Sequence, residues 1–179
     1  MIITLEQLKE RRACINGLKY FTQNFGEETE TDEVIKKLLD EKTITLWIWW
    51  LARDFNLTTV CKSWYENGLL REDCFYKNGR VEGVYKYWYE NGQLMEECFY
   101  KNRELEGGYK YWHENGQLRD ECFYKNGKPD GECKTWHENG GLVEQCFYKK
   151  GKLDGEYKRC CKNGELLQHC FYKNGGIVK

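Results

Sequence analysis

One feature limits what this chain can fold into more than any other. The string Trp88-Tyr89-Glu90-Asn91-Gly92 returns as Trp112-His113-Glu114-Asn115-Gly116 and as Trp136-His137-Glu138-Asn139-Gly140. An earlier copy begins at Trp64, and an altered one reads Cys160-Cys161-Lys162-Asn163-Gly164. A second string, Cys74-Phe75-Tyr76-Lys77, keeps step with it and returns at Cys98, Cys122, Cys146 and Cys170. Both recur every 24 residues, in five copies. A fixed period in this range marks a repeat architecture, in which each unit buries its apolar face only by stacking on its neighbours.

Each unit carries two turn signals. Asn91-Gly92 illustrates the first, Asn78-Gly79 and Asn126-Gly127 the second. Asn-Gly between apolar-rich segments is a strong hairpin signal, because a type I′ turn needs positive φ at both central residues. Five units therefore predict about ten strands in an up-and-down antiparallel meander. Two-residue turns would pair Tyr89 with Leu94, Tyr87 with Glu96 and Tyr85 with Cys98. They would also pair Cys74 with Cys61 on one side and with Gly83 on the other. That two-residue stagger per unit predicts a twisted, elongated ribbon.

Side chains alternate along a strand, so this register divides the sheet into two faces. Tyr85, Tyr87, Tyr89, Leu94, Cys98, Tyr100 and Leu105 fall on one, which is expected to be the more buried. Lys86, Trp88, Met95, Glu97, Phe99 and Lys101 fall on the other, a half-exposed surface where lysine stems can lie along aromatic rings.

Residues 1–57 show helical rather than strand periodicity. Thr4 and Gln7 form a capping box for a short first helix. A second helix is expected from Ala13 to Phe25 with Gly26 as its stop, and a third capped by Asp32. A fourth, from about Thr43 to Phe55, carries Ile44, Ile48, Leu51 and Phe55 as one stripe. Trp49 lies off that stripe and is read either as packing against the first repeat or as an exposed partner anchor. The expected fold class is thus α+β: a small helical cap domain over residues 1–57, then a hairpin repeat array over residues 58–179.

Composition excludes several functions. There are 28 Lys+Arg against 29 Asp+Glu, a formal charge of −1, which argues against an electrostatic grip on nucleic acid or an anionic membrane. The N-terminus reaches charge before any apolar core forms, and the longest apolar stretch, Leu46 to Ala52, is far short of a bilayer span. A cytoplasmic chain is expected, so its 10 Cys are read as buried reduced thiols. Cys61–Cys74 and Cys133–Cys146 are the pairs that the register brings close enough to bridge. His113 and His137 stand two strands apart, too far to share a metal, and Cys160 and Cys161 point to opposite faces. No metal and no cofactor are expected. Nor is catalysis: the single Ser63 lies in a strand, phosphate-binding loops are lacking, and neighbouring acids such as Glu96 and Glu97 face opposite ways.

The segments Lys86 to Leu94 and Lys110 to Leu118, each followed by Cys-Phe-Tyr-Lys, resemble the variant MORN repeat. The resemblance covers about residues 59 to 175. It departs at Asn102-Arg103, where a turn loses its Gly, and at Cys160-Cys161. It implies arrays that hold protein partners, within a bacterial family often labelled as antitoxins, and it brings no catalytic residue. The expected function is a non-enzymatic protein that binds and neutralises another protein. The alternatives are a phage or mobile-element inhibitor of a host defence enzyme such as a CRISPR effector, and a structural or membrane-proximal scaffold. The candidate partner-binding residues are Trp64, Trp88, Trp112 and Trp136, Lys86, Lys110 and Lys134, Phe99 and Phe123, together with Trp49. Trp is a favoured interface anchor, and the repeat spaces such anchors evenly.

Overall fold

The computed structural model describes residues 1–41 and 46–178, without the side chains of Ile15 and of residues 46–49. The chain starts with strand β1 (Ile2–Thr4) and helix α1 (Leu5–Glu10). The Thr4–Gln7 capping box forms as expected, with the Gln7 N–H donating to Thr4 Oγ1 at 3.2 Å and the Thr4 N–H to Gln7 Oε1 at 3.0 Å. Helix α2 (Ile15–Phe25) ends at Gly26, whose φ of +77° suits glycine. Strand β2 (Glu28–Glu30) pairs antiparallel with β1, a small sheet that helical periodicity did not signal. Helix α3 (Thr31–Asp40) follows without a linker. Its cap position is Glu30 rather than Asp32, because the Thr31 N–H is already bonded to the Met1 carbonyl beside the β1–β2 pair. Helix α4 (Leu46–Asp54) is the expected fourth helix. The Trp49 side chain lies outside the described residues, as does the expected start of that helix at residues 43–45.

The remainder is one open antiparallel sheet. Its strands are β3 (Thr59–Trp64), β4 (Leu70–Lys77), β5 (Arg80–Trp88), β6 (Leu94–Lys101), β7 (Glu104–Leu105), β8 (Gly107–Trp112), β9 (Leu118–Lys125), β10 (Lys128–Trp136), β11 (Leu142–Lys149), β12 (Lys152–Cys160), β13 (Leu166–Lys173) and β14 (Gly176–Ile177). Each pairs with the next in sequence, except that β7 and β8 are two pieces of one strand, both on β6. The α+β class and the meander of hairpin repeats are as expected.

The two turn classes differ. Asn78-Gly79, Asn126-Gly127 and Asn174-Gly175 have positive φ at both residues, as type I′ demands. At Asn91-Gly92 only Gly92 does, at +84°. There the Gly92 N–H donates to the Tyr89 carbonyl and the Tyr89 N–H to the Gln93 carbonyl, so the loop has three residues, ending in a left-handed glycine. Hence Trp88, not Tyr89, faces Leu94, and a bulge follows before Tyr87 meets Glu96. Leu94 thereby joins the Trp face instead of the Tyr face. The bulge residues also change sides. Arg71 and Arg119, counterparts of Met95, lie over Tyr rings: Arg71 over Tyr65 and Tyr87 at 5.8 and 5.6 Å, Arg119 over Tyr111 at 4.9 Å.

The expected stagger is also corrected. Cys74 faces Cys61 on one side but Tyr85, not Gly83, on the other. Between that pair and Tyr76–Val81, the ladder shifts register, with more residues of β5 than of β4 in the gap. Gly83, at φ +84°, sits in the surplus. The row Cys61, Cys74, Tyr85, Cys98 therefore crosses the strands in register, and the stagger is absorbed inside each unit rather than accumulating.

The core sits at the N-terminal end. Ile3, Leu8, Phe21, Val34, Leu38, Leu51 and Ala52 pack with Cys61, Cys74 and Tyr76, so the helical module covers the Cys–Tyr face of the first hairpin. Beyond it, that face is shielded by its own rings, in edge-on pairs such as Tyr85–Tyr100, Tyr109–Tyr124 and Tyr157–Tyr172. Cys122 and Cys133 form a disulfide across β9 and β10, with Cα atoms 4.2 Å apart. This corrects the expectation of thiols throughout. Cys61 and Cys74 stay reduced although they face each other, and Cys146 is free because Cys133 is bonded to its other neighbour.

Candidate functional site

Strand β5 alternates regularly, so Val84, Lys86 and Trp88 share one face with Glu97 and Phe99 of β6. Across the array this face repeats three rows. The outermost is an aromatic–aliphatic row: Val60, Phe75, Val84, Phe99, Phe123 and Phe171 are 38–50% exposed. Val60 faces Phe75 and Val84 faces Phe99 in the ladder, so each of the first two units contributes an apolar pair to the row. The middle row is ionic. Lys62 pairs with Asp73 at 2.9 Å, Lys86 with Glu97 at 3.0 Å and Lys110 with Glu121 at 3.3 Å. Lys134 departs, bonding Glu132 on its own strand at 2.8 Å: Gln145 stands opposite it on β11, and Glu121, opposite it on β9, is already paired with Lys110. The third row is Trp64, Trp88, Trp112 and Trp136, all half-buried.

The sequence-derived candidates whose side chains are described therefore do come together, but not as equals; the Trp49 side chain lies outside the described residues. Phe99 and Phe123 present open ring surface at 41% and 49% exposure. The lysine charges are compensated by neighbouring acids. The tryptophans are partly used by the fold. Reading the sequence missed Val60, Phe75, Val84 and Phe171, although the same 24-residue spacing that singles out Phe99 also contains Phe75 and Phe171.

The turn motif has a structural role that spacing did not reveal. The Tyr65 hydroxyl donates to the Trp88 carbonyl of the next unit at 2.5 Å, the Tyr89 hydroxyl to the Trp112 carbonyl at 2.7 Å, and His113 Nε2 lies 2.9 Å from the Trp136 carbonyl. Asn67, Asn91 and Asn115 each donate from Nδ2 to the Glu90, Glu114 or Glu138 carbonyl one unit on. Their Oδ1 atoms accept the N–H two residues ahead, closing their own loops. Each of these turns is thus bolted to the next. The series stops at the fourth turn, where His137 Nε2 is buried without a partner among the described residues.

The opposite face holds a line of half-buried acids. Burial pushes the Glu72 and Glu96 carboxyls above their usual range. Glu144 accepts the Tyr157 hydroxyl at 2.8 Å, and Asp120 accepts the Thr135 hydroxyl at 2.8 Å. Burial likewise raises Cys98 to about 12 and Cys146 to about 11, so these thiols stay protonated and weakly nucleophilic at neutral pH. Among the described residues no cluster of three or more His, Cys, Asp or Glu could hold a metal.

A family model described as "MORN repeat variant" matches residues 57–78, 81–102, 105–126 and 129–150. These four segments are MORN-variant repeats. The first of them is the hairpin β3–β4 with its Trp-Tyr-Glu-Asn-Gly loop. The fifth hairpin, β12–β13, lies outside the matched segments, and there Cys160-Cys161 replaces the Trp-aromatic pair. A comparison with curated proteins finds no match. Among solved structures, the Glycosylation Associate Protein (Gap123) complex from Streptococcus agalactiae aligns at 14% identity and TM-score 0.32, covering 57% of this chain and 19% of that one. TarM aligns at 11% identity and TM-score 0.34, covering 98% of this chain and 30% of that one. A mutant of S. aureus TarM, in complex with Fondaparinux, alpha-GlcNAc-glycerol and UDP, gives the same identity and TM-score over 31% of its chain. This MORN-repeat chain spans less than a third of the length of those structures.

Proposed function

We propose that this MORN-repeat protein is a non-enzymatic scaffold that holds a protein partner on its Trp–Phe face. The observation that carries the reading is the uncovered row Val60, Phe75, Val84, Phe99, Phe123 and Phe171, at 38–50% exposure on one face of the sheet. The first two units contribute apolar pairs, Val60–Phe75 and Val84–Phe99, and exposed apolar surface gathered on one face in this way marks interaction sites. The flanking Lys–acid pairs form the polar rim that such a surface needs to stay soluble when empty. In its finer form, the proposal is an antitoxin-like inhibitor that neutralises the protein it holds, acting in the cytoplasm.

The test is capture of partners from the native host, read by mass spectrometry, with wild type and with the Phe99→Ser/Phe123→Ser double variant. Both positions are exposed, so the variant is expected to fold and to lose the captured protein. Retention of that protein by the folded double variant overturns the assignment of the face. An activity assay on the captured protein, with and without this chain, tests the inhibitory form.

A further inference from the structure

The Asn102-Arg103 turn breaks the repeat pattern at a place the structure makes meaningful. The other turns of its class have glycine in the second position: Gly79, Gly127, Gly151 and Gly175. Arg103 sits there instead at φ +75°, a left-handed conformation that disfavours residues with a side chain. It lines a cleft of about 600 Å³, together with Arg53, Glu72, Tyr76, Arg80, Val81, Tyr85 and Tyr100.

The cleft exists because the helical module and the array are locked together at one turn. Gly79 donates its N–H to the Leu57 carbonyl at 2.9 Å, and the Asn78 N–H reaches Thr58 Oγ1 at 3.2 Å. A Cβ on Gly79 would meet Asn56 Oδ1 at 2.8 Å and the Arg53 carbonyl oxygen at 3.0 Å. The end of α4 therefore rests on the first type I′ turn, and the space beside it stays open over the tyrosine face.

Charge in this cleft is one-sided. Arg53 is paired with Asp54 at 2.7 Å. The Arg80 and Arg103 side chains have no hydrogen-bond or ion-pair partner among the described residues. The single acid of the lining, Glu72, is half-buried, and burial favours its protonated form, which weakens it as a counter-charge. The walls are apolar: the Tyr85 and Tyr100 rings meet edge-on at 6.2 Å beside Val81. Two uncompensated guanidinium groups over an aromatic floor match a carboxylate on a short aliphatic stem.

We propose that this cleft docks acidic side chains of the protein partner, with Arg80 and Arg103 gripping the carboxylates and Tyr85, Tyr100 and Val81 holding the stems. The proposal rests on the reading of this chain as a protein-binding scaffold and names the chemistry of its partner. A peptide is favoured over an anionic membrane. The chain is nearly neutral overall, and Lys62, Lys86 and Lys110 of the opposite face are already paired with acids, which leaves little basic surface there to meet a bilayer.

The test is titration of a fluorescent hexaglutamate peptide into the full chain at low salt, with hexalysine as control. Saturable binding of hexaglutamate alone is expected, weakened about tenfold by Arg103→Gly and by Arg80→Ala, since a hydrogen bond to a charged group is of that strength. Arg103→Gly restores the glycine of the sister turns, so it keeps the fold, and its melting temperature should equal or exceed that of wild type. Absence of hexaglutamate binding, or binding untouched by Arg103→Gly, overturns the proposal. So does binding to phosphatidylserine vesicles without binding to the peptide. The Phe99→Ser/Phe123→Ser variant separates the two readings. It should lose the captured partner yet still bind hexaglutamate; if the partner is retained while Arg103→Gly abolishes peptide binding, the Phe face fails and the cleft stands.

Discussion

The two halves of this molecule solve the same problem in different ways. The helical module has a closed core: Ile3, Leu8, Phe21, Val34, Leu38, Leu51 and Ala52 are at most 2% exposed. The repeat array is about twice as long, yet beyond its first hairpin the buried hydrophobic residues among those described are only Cys98, Cys146 and Cys170. Most of its other strand residues are half-covered. The module is held by three-dimensional packing, which is cooperative and intolerant of voids. The array is held by ladders, cross-strand pairs and turn-to-turn bolts, each a contact between neighbours only. A single-layer sheet leaves a whole face available for a partner, whereas a closed core leaves only its outside.

Substitutions that break one mode and spare the other sharpen this contrast. The largest effect belongs to the module. Phe21→Ala should cost about 3–5 kcal/mol in chemical denaturation, because it empties a fully enclosed site. It should also expose Cys61 and Cys74 to alkylation, since both pack into that core. If Cys98 and Cys146 became reactive at the same rate, the two halves would unfold as one unit and the contrast would fail.

Next comes the disulfide within the array. Reduction, or Cys122→Ser, should lower stability by about 2 kcal/mol, as closing a short loop implies. Alkylation of the unfolded chain without reductant should label the eight free cysteines, and all ten after reduction. Ten labels without reductant would remove the bridge from the account. Smaller again is Asn91→Ala. It deletes one bond inside its turn and one to the Glu114 carbonyl, worth about 1–2 kcal/mol together. Asn163→Ala deletes only local bonds, from the Glu165 N–H and from the weakly donating Cys161 thiol, without a bolt to a further unit, and should cost less. Equal losses at the two sites would show that the bolts between units contribute nothing.

The smallest effect is in pH. Glu72 and Glu96 have carboxyl pKa values raised by burial above the ordinary 4.5. A raised acid binds its proton more readily in the folded state, so its stabilising contribution is complete below 4.5 and is lost as pH rises through the folded value. The melting temperature should therefore increase slightly from neutral pH down towards 4.5. Glu132, Asp154 and Glu156 have lowered values and weaken the fold only at more acidic pH. In Glu72→Gln the increase should shrink; an unchanged slope would assign it to other groups.

Much of this was legible in advance because it is local. The 24-residue period announced the hairpins, and Asn78-Gly79 announced a true type I′ turn. Thr4 and Gln7 announced a helix start. Alternation placed Cys74 on the buried face and Phe75 on the exposed one. What was misread involves geometry that one strand cannot report. Asn91-Gly92 has the letters of a two-residue turn but forms a three-residue loop. The two turn classes differ in how Asn is used, as a left-handed residue in one and as a side-chain bolt in the other. The signal was present in the Tyr or His two residues before Asn, a polar-tipped ring kept in four successive turns. The pairing of β1 with β2 had no periodic signature, since each has three residues.

The sequence by itself determined the repeat, its strands and most of the sorting of side chains between two faces, because these follow from bond geometry and alternation along the chain. Only the tertiary structure decided three further points. The bulges at Gly83 and its sister positions cancel the stagger, because register depends on both strands. The cysteine chosen by Cys133 is Cys122, although Cys133 stands between two of them, facing Cys122 on one side and Cys146 on the other. And the cleft that gathers Arg80 and Arg103 exists because α4 rests on one turn of the array, bringing together groups that no spacing along the chain connects.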